Sequence, residues 1–330
     1  MPDRVVEATA PVILDLAGCG SDSHLQSLPS GTVAAVGVAI DRRVGCRVRI
    51  APNGIVLESS DTGQISSGAT LQELEPGDAL RICAEVLRAM DVMTGLRVST
   101  QCRIPSSSGL AVAPSIAVVI VAAVARFLGR VISNDELLSI ARKALVRAST
   151  RPAWNYALLG VIGGAVSRVE CAAGRPLAGP LLVDPARVEE CLFLVDTGAP
   201  FVPPTGRSDM SMPEATPDLL SEGHQVAGAL LEGRLEDVTG ILARGWSIRH
   251  DLGLGPNGPV CSRIAALAGE HGAAARPVGR GDGGLLALWA LPGSRSPGPR
   301  EAVQAALRGA GFRVFPIRVD LLGLEVEERS

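Results

Sequence analysis

Acceptor-type side chains gather near the start of the chain. Asp15, Ser21, Asp22, Ser23 and His24 stand close together around Gly18 and Gly20. An ionised carboxylate holds a polyol through charge-assisted hydrogen bonds, and a histidine beside it titrates near neutrality. A second group, Ser106, Ser107, Ser108, Gly109, Leu110 and Ser115, leads into an apolar run that closes at Gly129. A small-residue loop at a helix start offers unpaired N–H groups and the positive end of a dipole, so it reads as a phosphate loop. Its centre is Ala111, Val112, Ala113 and Pro114, which carry no hydroxyl, and Pro114 also lacks an N–H. A third group places Arg280 and Asp282 among Gly279, Gly281, Gly283 and Gly284. Arg280 offers a cation to an anion, whereas Asp282 repels one unless Arg280 or a metal intervenes.

Strands and helices must bring these groups together. Residues 3–19 alternate and then run apolar, as a strand does, before the glycines and serines of 16–24 break it. Residues 33–50 give β-branched runs on either side of AIDRRVG, which predicts a hairpin, and Asn53-Gly54 before IVLESS predicts a second strand pair. Helical spacing from Pro76 to Met93 starts at Asp78 as a cap, and 96–104 alternates as a strand into the phosphate loop. The apolar helix to Gly129 follows, then a helix opened by the capping box of Ser133 and Glu136. RPAWNYALLGVIGG leads into the strand AVSRVE, and 191–197 supplies another strand. The Pro, Ser and Met residues of 201–216 suit a mobile loop or link. Beyond it come two helices split at Gly233, a third in VCSRIAALAGEHG, a Gly-rich turn between strand-like runs, a helix in PREAVQAALRGAG and a closing strand in FRVFPIRVDLLGLEV. This order describes an α+β protein of two lobes.

Composition narrows the partners. At 330 residues and 47% hydrophobic content the chain buries a substantial core. A net charge of -3 with both signs interspersed offers no basic stripe to nucleic acid and no polybasic run to a membrane. The longest apolar run, 116–125, is too short to span a bilayer, and the N-terminus lacks the order of a signal peptide. Seven cysteines without a C-x-x-C pair or a histidine at ligand spacing fit reduced thiols in a cytoplasm, with no metal site. Aromatics at 3% leave little for stacking, so small polar metabolites are the expected partners.

Three stretches in order carry a resemblance. APVILDLAGCGSD, 10–22, is similar to A-P-G-R-I-D-x-A-G-G-x-x-D; PSSSGLAVAPS, 105–115, to P-x-G-S-G-L-G-S-S-S-A; and GRGDGG, 279–284, to G-A-G-G-G-G. With VDTG at 195–198 and RGWSIRHDLG at 244–253, the chain resembles the GHMP kinase family, in its branch that phosphorylates heptose 7-phosphate and fucose. The resemblance implies an N-terminal lobe like domain 2 of ribosomal protein S5 over 1–195 and a ferredoxin-like lobe over 196–330. It implies ATP with magnesium, and transfer to a hydroxyl of a heptose-like sugar or sugar phosphate, and it is compatible with a homodimer. Substrate contacts fall on Asp15, Ser21, Asp22, Ser23, His24, Arg280 and Asp282, and phosphate contacts on Ser106, Ser107, Ser108, Gly109, Leu110 and Ser115. The family's catalytic Asp, about seven residues before Gly163-Gly164, corresponds to Tyr156, beside Asn155, and its motif Arg corresponds to Ile13. Neither Asn155 nor Tyr156 is a base near neutral pH. The alternative is a GHMP-fold protein that has lost kinase activity and binds a sugar phosphate-like ligand or runs a different reaction.

Overall fold

Alternating side chains at the chain start form β1, Val5–Ala17, and the β-branched run after it forms β2, Ala34–Ile50. The computed structural model describes residues 4–18, 34–102, 104, 108, 110, 112–148, 155–172, 175–202, 217–252, 256, 258–278, 282–293 and 297–329. The predicted hairpin at AIDRRVG is instead a bulge within one long strand. Pro11 pairs with Arg43 but Val12 pairs with Ile40, so Asp41 and Arg42 are extra residues on β2. The length of β2 gives it successive partners: β5, Leu96–Cys102, along Val44–Ile50, and β6, Val166–Ala172, along Ala34–Val38. The hairpin of β3, Ile55–Ser59, and β4, Gln64–Gly68, extends the sheet beyond β5, and β7, Arg175–Pro180, extends it beyond β6.

Four helices follow from the first half: α1, Asp78–Ala89; α2, Val112–Phe127; α3, Asn134–Ala148; and α4, Asn155–Gly163. Gly77, not Asp78, is the cap of α1; Asp78 lies in the first turn and pairs with Arg81. The α3 cap is as expected on one side, with the Glu136 N–H donating to Ser133 Oγ at 3.2 Å. Apolar on nearly every face, α2 is buried almost throughout and packs on β1 and β2, with α1, α3 and α4 around it.

The second sheet holds β8, Leu192–Asp196; β9, Ala274–Pro277; β10, Leu285–Trp289; and β11, Arg313–Pro316. Its helices are α5, Pro185–Cys191; α6, Pro217–Leu231; α7, Leu235–Asp251; α8, Pro259–Glu270; and α9, Pro299–Gly309. The antiparallel order β11-β8-β10-β9, with helices between β8 and β9 and between β10 and β11, is the ferredoxin-like arrangement. Phe193, Val195, Leu286 and Leu288 form a core with Ile264 and Leu307.

The expected closing strand is two strands in two sheets. Pro316 ends β11, and β12, Glu325–Arg329, pairs antiparallel with β1. Between them the Asp320 Oδ1 accepts from the Leu322 and Gly323 N–H groups, each at 3.0 Å, and Arg43 binds Asp320, Glu325 and the Gly323 carbonyl. This turn lies against Gly164, whose φ of 66° and contact with Gly323 leave no room for a side chain. The 195/196 line drawn from sequence falls inside β8, and β12 belongs to the first sheet. No helix among the described residues is long and apolar enough to cross a membrane.

Candidate functional site

The segment from Pro11 to Gly18, at the end of β1, is tied to two other parts of the chain. At one end, Ser115 in the first turn of α2 donates its hydroxyl to the Pro11 carbonyl at 2.8 Å. At the other, Gly18 opens the stretch that carries Ser21, Asp22, Ser23 and His24, all outside the described residues. Arg276 of β9, three places before Gly279, reaches across to Asp15 Oδ2 at 3.3 Å and to the Gly18 carbonyl at 3.0 Å.

Around Gly18 lies a buried ion network. Glu222 of α6, only 2% exposed, accepts the Gly18 N–H at 2.9 Å. Arg249 of α7 donates to both Glu222 oxygens, at 2.8 and 2.5 Å, and to the Gly18 carbonyl at 3.0 Å. Arg276 donates to Glu222 Oε2 at 3.0 Å. Burial pushes the Glu222 carboxyl up, but the two guanidiniums, the Arg249 hydrogen bonds and the Gly18 N–H together hold it below the usual carboxylate range. Asp15 goes the other way. Burial raises its carboxyl above that range and Glu222 adds to the rise, against the pull of Arg276 and Arg249. Its Oδ1 is buried with no hydrogen-bond partner among the described residues. Close backbone approach makes the network possible: a side chain at Gly223 would run into the Ala34 carbonyl, and one at Gly245 into Glu222 and Arg249.

In the stretch 105–115 the described polar groups serve the framework. Ser115 is fully buried and its hydroxyl is bound to β1, which removes it from the expected phosphate contacts. Ser108 is also buried, and its oxygen accepts the Leu110 N–H at 3.3 Å, so that donor is committed within the turn. The Leu110 side chain lies in the core. Ser106, Ser107 and Gly109 lie outside the described residues. Ile13, at the position of the family Arg, is 3% exposed and packs against Gly160 of α4 and Gly37 of β2. Asn155 and Tyr156 open α4, but their side chains fall outside the description.

In the third stretch Arg280 lies outside the described residues. The Asp282 backbone pairs with Val202, and its carboxylate accepts the Gly283 N–H at 3.0 Å while lying against Gly258 before α8. The same carboxylate faces Cys261, whose thiol is pushed up to about 12, chiefly by burial. Asp282 is thus engaged in joining its turn to α8 rather than standing open to a substrate. Among the described residues no three His, Cys, Asp or Glu side chains come together to hold a metal ion. With Ser115 and Ser108 committed and no polar side chain at Ala113 or Pro114, those residues do not fit a magnesium shell.

Sequence reasoning missed Glu222, Arg249 and Arg276. Arg276 left the clearest trace, a single charge in the small apolar run AAARPV, where a buried strand tolerates a cation only if it is paired.

Residues 78–152 match the family model of the GHMP kinases N terminal domain. Solved structures share the fold over nearly the whole chain. A D-glycero-D-manno-heptose 1-phosphate kinase from Bacteroides thetaiotaomicron superposes with a TM-score of 0.76 at 19% identity, covering 98% of this chain and 99% of the other. Lactococcus lactis galactokinase complexed with galactose gives 0.74 at 13% identity, over 98% and 95%. An L. major mevalonate kinase in complex with R-mevalonate gives 0.68 at 16%, over 96% of each chain. No curated protein sequence matches.

Proposed function

We propose, for a chain that carries a GHMP kinase N-terminal domain on the fold of the sugar kinases, that it transfers the terminal phosphoryl group of ATP to a hydroxyl of a small heptose-like sugar or sugar phosphate. The observation that supports this reading is that the first stretch, at Pro11 to Gly18, is fastened both to the end of the second stretch and to β9, the strand that leads into the third. Ser115 ties the start of α2 to Pro11, and Arg276 ties the strand before Gly279 to Asp15 and Gly18. Phosphoryl transfer asks mainly for positioning and for fixed positive charge, and this junction supplies the first. In this reading Asp22 fixes acceptor hydroxyls, with Ser21, Ser23 and His24 beside it. Ser106, Ser107 and Gly109 meet the phosphates, Arg280 meets an anionic group, and Asn155 or Tyr156 hydrogen-bonds the acceptor. The described residues do not fit magnesium, so no step is assigned through it. A cytoplasmic setting, where thiols stay reduced, goes with the reading.

A second reading is favoured by Ile13. An apolar side chain sealed beneath Gly160 stands where the family has a cation, and no carboxylate occupies the expected base position. That combination suits a relative that keeps the acceptor pocket without phosphoryl transfer. Calorimetry with magnesium ATP, then with heptose 7-phosphate and other sugar phosphates, separates the two. ADP release that requires an acceptor, and that Asp22→Ala abolishes, supports transfer. No ATP binding at millimolar concentration, with a sugar phosphate still bound, overturns transfer in favour of the second reading.

A further inference from the structure

The first sheet turns a polar face away from α2. Along β2 the residues Val44, Cys46 and Val48 point into the core, which leaves Gly45, Arg47 and Arg49 on the other face. The pairing sets their neighbours: Gly45 lies between Thr9 of β1 and Gln101 of β5, Arg47 between Glu7 and Ser99, and Arg49 beside Arg97. Because Gly45 contributes no side chain, this face dips into an open cavity of about 280 Å³, lined by Thr9, Arg49, Glu58, Ser60 and Gln101 among others.

Charges around the cavity are engaged with one another, Arg49 with Glu58 among them, and one N–H is left over. Glu7 binds Arg47 and Arg329, at 2.5 and 3.2 Å. Glu58 accepts from Arg97 and Ser99, both at 2.9 Å. That N–H is on Arg49, whose buried Nε has no hydrogen-bond partner among the described residues. Arg49 is half-buried, and a buried N–H left without an acceptor is costly; an oxyanion taking Nε–H together with an outer guanidinium N–H in a fork relieves it. Ser60 and Gln101 offer further neutral donors at the rim.

We propose that the hollow over Gly45 is a binding site for a small oxyanion, a carboxylate or a phosphate, with Arg49 as its anchor. It lies on the sheet face opposite α2 and is separate from the junction at Pro11 to Gly18. Two substitutions test it by different physics. Arg49→Ala removes the anchor. Gly45→Leu fills the hollow, and the fold accommodates it, because a Cβ at Gly45 lies 3.8 Å from its nearest neighbours.

Malonate and inorganic phosphate are the probes, each titrated into the full chain by calorimetry, with circular dichroism to confirm folding. Saturable binding is expected in the parent and, after either substitution, is weakened about tenfold or more, as for a lost charge-assisted pair. Arg49→Lys is expected to fall between, since it keeps the charge and loses the fork. Malonate binding alone identifies a carboxylate ligand, and phosphate binding alone a phosphate. Undiminished affinity in a folded Arg49→Ala variant, or no saturable binding of either probe to the parent, overturns the proposal. Should Gly45→Leu fail to fold, Arg49→Ala decides.

Discussion

The two ends of the Pro11 to Gly18 segment are held by opposite means. At Pro11 a neutral hydroxyl, that of Ser115, fastens the first turn of α2. At Gly18 two arginines and a glutamate from α6, α7 and β9 clamp both the N–H and the carbonyl of one glycine. The first contact is a single local bond within one sheet and its helix. The second joins elements of both sheets and leaves one oxygen, Asp15 Oδ1, without a partner among the described residues. The difference locates what depends on each end: the chain beyond Gly18 starts from an interlocked charge network, whereas α2 starts from a bond that one hydrogen-for-hydroxyl exchange removes.

Breaking the charged end has the largest expected effect. Glu222→Ala strands Arg249 in a buried site without its counter-charge and leaves Arg276 with Asp15 alone. Removing one partner of a buried ion pair costs about 3–5 kcal/mol. Urea unfolding measures it, and a loss under about 1 kcal/mol would show that water reaches the arginines and that the clamp is not a dry one. Next comes Gly223→Ala, which pushes α6 off the Ala34 backbone and is expected to cost about 1–3 kcal/mol by overpacking. Its effect should not add to that of Glu222→Ala, because both loosen the same clamp; simple additivity in the double variant would separate the two.

Much of this architecture was legible in the residues. The period of β1, the all-round apolar character of α2 and the Ser133 cap follow from side chains that act locally. Misreadings arose where a tertiary partner overrode the local signal. Asp41 and Arg42 look like a turn, but β1 holds the strand through them as a bulge, with Arg43 reaching Asp320 and Glu325. Asp282 reads as a ligand because it sits among glycines, yet it is engaged by Gly283 and lies at the start of α8. Glu222, Arg249 and Arg276 are far apart in sequence, and nothing in their local patterns announces that they share one glycine.

The neutral end gives a smaller effect. Ser115→Ala removes one buried hydrogen bond and is expected to cost about 1 kcal/mol. Because that hydroxyl is spent on Pro11, the affinity for ATP, where ATP binds, should stay the same. A large rise in the ATP dissociation constant without loss of stability would return Ser115 to the phosphate site.

Asp15→Asn tests the charged end most gently, through pH. Burial raises the folded-state pKa of Asp15 above its ordinary value of 3.8, so the folded chain holds this proton to higher pH than the unfolded one does. Stability from this group is therefore fully present below the unfolded value and declines as pH rises through the folded one. The asparagine variant has no proton to lose there. Its stability relative to the parent should accordingly improve from pH 4 towards neutrality, as followed by urea midpoints across that range. If the parent gains on the variant instead, Arg276 outweighs burial, and Asp15 is a charged member of the clamp like Glu222. The comparison of the two ends would then sharpen into one of a wholly ionic clamp against a wholly neutral one, with no proton held between them.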